Sequence, residues 1–196
     1  MESKELFSLI GLIIAVLSLA WATYGQTMLQ KKKFAVEMIH EWNSQTAEDR
    51  RIIELAYPGI YDNCKRLDKE EAKNIVNSDE SANDEKRQKV KQSIIRLLNY
   101  FEFISSAYLN GTANKRIIHD SFATTMVRFY CILEEYVIQQ VELTKQNPWI
   151  PYIKFIKKII SSKNIQKCIY YNDEANPVCY QSKFDITFKI EDLLKY

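Results

Sequence analysis

The chain opens on a long apolar run. Leu6 to Tyr24 reads LFSLIGLIIAVLSLAWATY, without one charged residue. A helix of this length spans about 28 Å, close to the ~30 Å hydrocarbon core of a bilayer. Trp21 and Tyr24 lie at its C-terminal end, where aromatic rings anchor among headgroups, and Lys31, Lys32 and Lys33 follow. On the other side Lys4 is offset by Glu2 and Glu5. Positive charge is retained on the cytoplasmic side. The pattern therefore predicts a single-pass anchor over residues 1–26 in the inner (cytoplasmic) membrane. The N-terminus lies outside, and residues 27–196 form a cytoplasmic domain. Ala20-Trp21-Ala22 resembles a signal-peptide cleavage site, but the leading segment is not clearly basic and the apolar run exceeds the usual ~7–15 residues.

Helical periodicity dominates the chain beyond this run. Ala35, Met38, Ile39 and Trp42 recur on one face, and no Pro or Gly interrupts residues 26–43, so the membrane helix is expected to continue into the domain. Thr46, with Asp49 three residues on, reads as the N-cap of a helix that Tyr57-Pro58-Gly59 ends. A short helix over 68–76 carries Ala72, Ile75 and Val76, and the small polar stretch 77–84 reads as an exposed loop. The strongest stripe, Val90, Ile94, Leu97, Leu98, Phe101, Ile104 and Tyr108, predicts a helix over about 85–109, stopped by Asn110-Gly111. Phe122, Met126, Phe129, Tyr130, Leu133, Val137 and Val141 predict its neighbour, starting near Asp120 or Ser121 and ending before Asn147-Pro148. A short connection between two such helices favours an antiparallel hairpin. A last helix covers about 150–162. Phe184, Ile186, Phe188 and Ile190 then alternate with polar residues, the period of a short C-terminal β-hairpin that would include Cys179-Tyr180. The fold class is mainly α: a transmembrane helix, then an all-helical bundle.

Composition supports this. Four Gly and four Pro in 196 residues are few turn-makers for a β-rich fold. A net charge of +2 is too balanced for a dedicated binder of duplex nucleic acid. Cys64, Cys131, Cys168 and Cys179 show neither CxxC spacing nor a disulfide framework, and Cys131 reads as a small core residue.

The chemistry that is absent narrows the function. His40-Glu41 lacks the second histidine of HExxH, and His119-Asp120 reads as a capping or packing pair. The cysteines and histidines form no spaced zinc motif, so no metal site is expected. Neither GxGxxG, GxxxxGK[ST] nor GxSxG occurs. No catalytic residue and no cofactor is predicted. Glu102, among aromatics and bordering an apolar stripe, needs a partner if partly buried, and Arg128 on the next helix is the expected one, a structural ion pair fixing hairpin register. Lys86 to Lys91 reads as the solvated start of a helix. Lys154, Lys157 and Lys158 on the last helix are the candidate ligand-binding residues for an anionic or nucleotide ligand.

Glu41-Trp42-Asn43-Ser44, then Leu98-Asn99-Tyr100-Phe101-Glu102-Phe103-Ile104 followed by Asn110-Gly111, resemble an uncharacterised bacterial family. Its members are single-pass membrane proteins with an all-helical cytoplasmic domain of unknown function. The resemblance covers about residues 6–145 and brings no catalytic residues. The layout is also similar to membrane effectors of bacterial antiphage systems, whose cytoplasmic domain senses a nucleotide. The expected function is a membrane-anchored, non-catalytic interaction or signalling module, with the lipid bilayer and further copies of itself as partners. Gly11, Ala15 and Ser18 provide a small-residue face for helix association. The alternative is a ligand-gated, nucleotide-sensing membrane effector of antiphage defence.

Overall fold

The computed structural model describes residues 3–61, 65–78, 84–161, 190 and 193–195. Among these residues six helices follow in order: α1 (Ser3–Gln45), α2 (Ala47–Ala56), α3 (Lys69–Val76), α4 (Glu85–Asn110), α5 (Lys115–Thr144) and α6 (Ile150–Ser161). No strand occurs among the described residues.

The expected continuation of the apolar helix is borne out, since α1 runs unbroken to Gln45. Its two halves have different surroundings. From Leu9 to Thr27 its side chains are exposed, with Leu12 at 63% and Trp21 at 79%. From Phe34 on, one face enters the bundle, and Ala35, Met38 and Trp42 are buried in the core. Thr46 donates from Oγ1 back to the Trp42 carbonyl at 2.6 Å, so it closes α1 and makes no side-chain cap on α2. Asp49 completes no capping box. Its buried carboxylate accepts from Arg96 Nε at 2.9 Å and Nη2 at 2.5 Å, fastening α2 to α4.

α5 is the central helix. Met126 to Tyr130, Arg128 apart, and Cys131 to Glu134 are buried, and such all-round burial marks a helix enclosed by others. Its start differs from the expected one. Asn114 caps it, accepting from Ile117 N–H at 3.1 Å, so residues 115–119 belong to α5 itself. Gly111 closes α4 with φ of 68°, the left-handed conformation that glycine adopts without a Cβ penalty. α3 begins with a full capping box between Asp68 and Glu71. At its other end Lys91 Nζ donates to the carbonyls of Val76 and Ser78 at 2.6 and 3.2 Å. Ser78 is thus buried, and Lys91 serves the end of α3.

α4 and α5 are not a closely zipped hairpin. Phe101 and Phe129 touch, with ring centroids 5.3 Å apart, but around this contact rings from two other helices pack between α4 and α5. Trp42 of α1 stacks on Phe101 and meets Phe122 and Phe129 edge-on. Tyr152 of α6 stacks on the Phe101 ring and meets Tyr130 edge-on. The Tyr152 hydroxyl donates to the Met126 carbonyl at 2.7 Å. α6 runs alongside α4 in the same direction, pairing Trp149 with Asn99 and Phe155 with Tyr108.

The expected C-terminal hairpin lies outside the described residues, except for Ile190. That residue is buried, and its carbonyl accepts from Leu194 N–H in a helical turn. Asn147 Nδ2 donates to the Leu193 carbonyl at 2.8 Å, which holds the chain's end on the bundle beside the α5–α6 connection.

Candidate functional site

The expected Glu102–Arg128 pair is not made. Glu102 accepts from the backbone N–H of Tyr152 at 3.0 Å, in the first turn of α6. A helix start leaves N–H groups without intrahelical partners, and α6 has no acidic residue of its own there. The carboxylate on α4 supplies what α6 lacks. Half-burial pushes the Glu102 carboxyl up, and the Tyr152 hydrogen bond offsets this only in part. Arg128 instead donates to the Tyr61 carbonyl from an exposed position on α5. The rings wedged between α4 and α5 turn the two residues toward different neighbours: Glu102 to α6, and Arg128 to the segment after α2.

Arg128 belongs to a site that sequence reasoning missed. It lines an open cleft of about 480 Å³ together with Arg50, Arg51, Glu54, Tyr61, Thr124 and Thr125. Three guanidinium groups come together there, from α2 and α5. Arg51 is paired with Glu48 at 2.8 Å on the exposed side. Glu54, the one acid lining the cleft, accepts from Gly59 N–H at 2.7 Å. The Arg50 guanidinium lies over the Trp42 ring, 4.9 Å from its centroid, so the cleft borders the ring that seats α1 in the core. Arg50 and Arg51 lie far from Arg128 in sequence, and only the tertiary packing brings them together.

A second polar feature is buried. Glu134 on α5 faces Arg66, just before α3, at 3.8 Å. Burial and the neighbouring Glu134 charge push the Tyr130 hydroxyl well up. Leu67 N–H donates to the Ile132 carbonyl at 3.1 Å. These contacts fix how the approach to α3 docks on the apolar wall of α5.

Of the three candidate lysines on α6, Lys157 is half-buried. Lys154 is exposed, while Lys158 lies over the Tyr108 ring at 5.2 Å, with Lys115 over the same ring at 5.8 Å. That ring is near the end of α4, at the end of the bundle from which the apolar half of α1 projects. Asn114 N–H donates to the Lys31 carbonyl at 3.0 Å, tying the α4–α5 turn to α1 there. Lys32 and Lys33 are exposed at the same level. Lys33 faces Glu37 at 3.8 Å. Trp21 and Tyr24 remain exposed on the projecting helix, their rings 6.5 Å apart. His40 is exposed. His119 Nδ1 lies 3.2 Å from Asp120 within α5, not at a junction between helices.

Among the described residues the architecture is thus an all-helical bundle with one N-terminal helix long and apolar enough to cross a membrane. The chain belongs to the family defined by a domain of unknown function, DUF4760, which covers residues 6–158. That span takes in the apolar half of α1 and nearly the whole bundle. No curated protein and no solved structure matches the chain.

Proposed function

We propose that this protein is a membrane-anchored, non-catalytic interaction or signalling module. α1 crosses the inner membrane, and the bundle lies on the cytoplasmic side. The observation that carries this reading is the division of α1. One uninterrupted helix has an uncovered apolar half of bilayer length and a second half built into the core at Trp42. Any rearrangement of the bundle around Trp42 therefore moves the helix, and lateral association of the helices in turn biases the bundle. The lysine triplet at the exit supports the cytoplasmic placement. Association as a homo-oligomer is supported by the uncovered helix face carrying Gly11, Ala15 and Ser18, where close approach between helices is sterically open. The test is a reporter fused after Tyr196, together with carbonate extraction and the mass of the full chain in mild detergent. A cytoplasmic, extraction-resistant, oligomeric protein is expected. A periplasmic reporter or a strict monomer would contradict the corresponding part.

A second reading, a ligand-gated membrane effector of antiphage defence, is favoured by the arginine cleft against Trp42. Its three guanidinium groups suit a phosphorylated ligand, and Arg50 links that ligand to the α1 seat. A panel of nucleotides, with inorganic phosphate as control, should raise the Tm of the full chain in detergent. Arg50→Gln should lose the shift. No shift with any nucleotide would leave the interaction module as the reading.

A further inference from the structure

We propose that the anchor-side end of the bundle is a docking surface for anionic phospholipid headgroups, formed by Lys115 and Arg116 of α5 and Lys158 of α6 beside Lys31, Lys32 and Lys33 of α1. This rests on the anchor reading and adds a lipid specificity to it. Lys31 lies seven residues beyond Tyr24, about 10 Å along the helix from the end of the apolar run. The backbone bond from Asn114 to Lys31 sets the start of α5 at that height. Lys158 reaches it through Tyr108, whose ring it shares with Lys115. Six basic side chains from three separate helices thus gather within roughly a Debye length of the headgroups, where each strengthens attachment to an anionic surface about fivefold.

The acids at this end are ordered accordingly. Glu37 faces Lys33 at 3.8 Å, and Asp120 faces Arg116 at 3.7 Å. α1 and α5 both run away from the apolar segment, so in each pair the base is on the bilayer side and the acid one turn behind it.

This order is unfavourable for the helix itself. Cations in a first turn oppose the helix dipole, and acid-before-base is the better order for such pairs. α2, α3 and α4, which start far from this end, carry Glu48 and Asp49, Glu70 and Glu71, and Glu85 in their first turns. α6, which also starts far from this end, has no acid of its own there but is served by Glu102 of α4. α5 starts with Lys115 and Arg116 and no acid. A negatively charged leaflet facing that turn reverses the balance. The Arg116 side chain is 91% exposed, so packing within the bundle does not account for it.

The test uses the full chain in nanodiscs of pure phosphatidylcholine and of phosphatidylcholine with phosphatidylglycerol, read by amide hydrogen exchange over residues 111–118. Exchange is expected to be several-fold slower with phosphatidylglycerol. The difference should vanish at about 0.5 M NaCl, where the Debye length falls to roughly 4 Å. It should also vanish in the Lys115→Gln/Arg116→Gln/Lys158→Gln variant, which leaves the triplet beside the membrane segment intact. A properly inserted protein whose exchange is the same in both lipids would overturn this inference and leave the anchor standing. A protein that does not enter the nanodiscs at all would overturn both.

Discussion

Trp42 of α1 stacks on Phe101 of α4 with ring centroids 5.0 Å apart and planes inclined by 29°. The same indole touches Tyr100, Phe122 and Phe129, and Arg50 covers its remaining face. It is the last residue of α1 to enter the core. Its neighbours come from α2, α4 and α5, so the bundle closes around the end of the helix that projects from it.

Trp42→Ala should cost about 3–5 kcal/mol, the range for deleting a buried aromatic. Trp42→Phe keeps part of the stack and should cost less. Denaturant unfolding followed by far-ultraviolet circular dichroism measures both. A cost below about 1 kcal/mol for the alanine variant would show that the ring does not seat α1.

Glu102 acts as the missing cap of α6. Glu102→Ala should cost about 0.5–2 kcal/mol, as for other lost caps, while Glu102→Gln keeps an acceptor for Tyr152 N–H and should cost little. Burial raises this carboxyl above the ordinary glutamate value of 4.5. Its contribution to stability is therefore full below that pH and lost as pH rises through the raised value. Glu102→Gln should flatten that part of the stability–pH curve. A wild-type curve that rises over this window, with the rise lost in the variant, would contradict the assignment. A double-mutant cycle of Glu102→Ala with Arg128→Ala should be additive within about 0.5 kcal/mol, because the two groups serve different helices.

Asp49 and Arg96 join α2 to α4 by a bidentate contact. Asp49 is buried, whereas the Arg96 side chain is 54% exposed and screened by solvent. Arg96→Ala strands the carboxylate and should cost about 1–2 kcal/mol, below the range for a fully buried pair. Asp49→Asn should recover part of that loss in the double variant. Strict additivity of the two substitutions would argue against the pairing.

The elements legible in the sequence were those with a clean apolar stripe: α3, α4, α6 and the continuation of α1. The start of α5 was not, because rules for helix starts favour acids, and Asp120-Ser121 satisfies them better than Asn114-Lys115-Arg116. The true start departs from the rule at the end of the bundle facing the apolar segment. Glu102 stood out correctly as a carboxylate needing a partner, but that partner is a backbone N–H, which no side-chain pattern displays. The arginine cleft was invisible because Arg50, Arg51 and Arg128 meet only after α1, α2 and α5 have packed around Trp42.

The proposed topology rests on charge. Replacing Lys31, Lys32 and Lys33 by Gln should weaken the orientation bias of a C-terminal reporter, since these charges dominate the segment following the apolar run. The Lys115, Arg116 and Lys158 substitutions should leave orientation unchanged, because they lie far along the chain from the apolar segment. An unchanged reporter in the triplet variant would assign the orientation to another feature.

The central claim is that anchor and bundle are joined by one stiff helix. Spin labels at Ser18 and Ser44, both exposed, test it most directly in a variant with Cys64, Cys131, Cys168 and Cys179 replaced by alanine. The labelled chain is diluted with unlabelled protein in nanodiscs, and the intramolecular distance is read by pulsed electron–electron resonance. An unbroken helix gives one narrow distribution near about 39 Å. A broad distribution, or one centred well short of that length, would show a hinge between membrane and bundle and contradict the account.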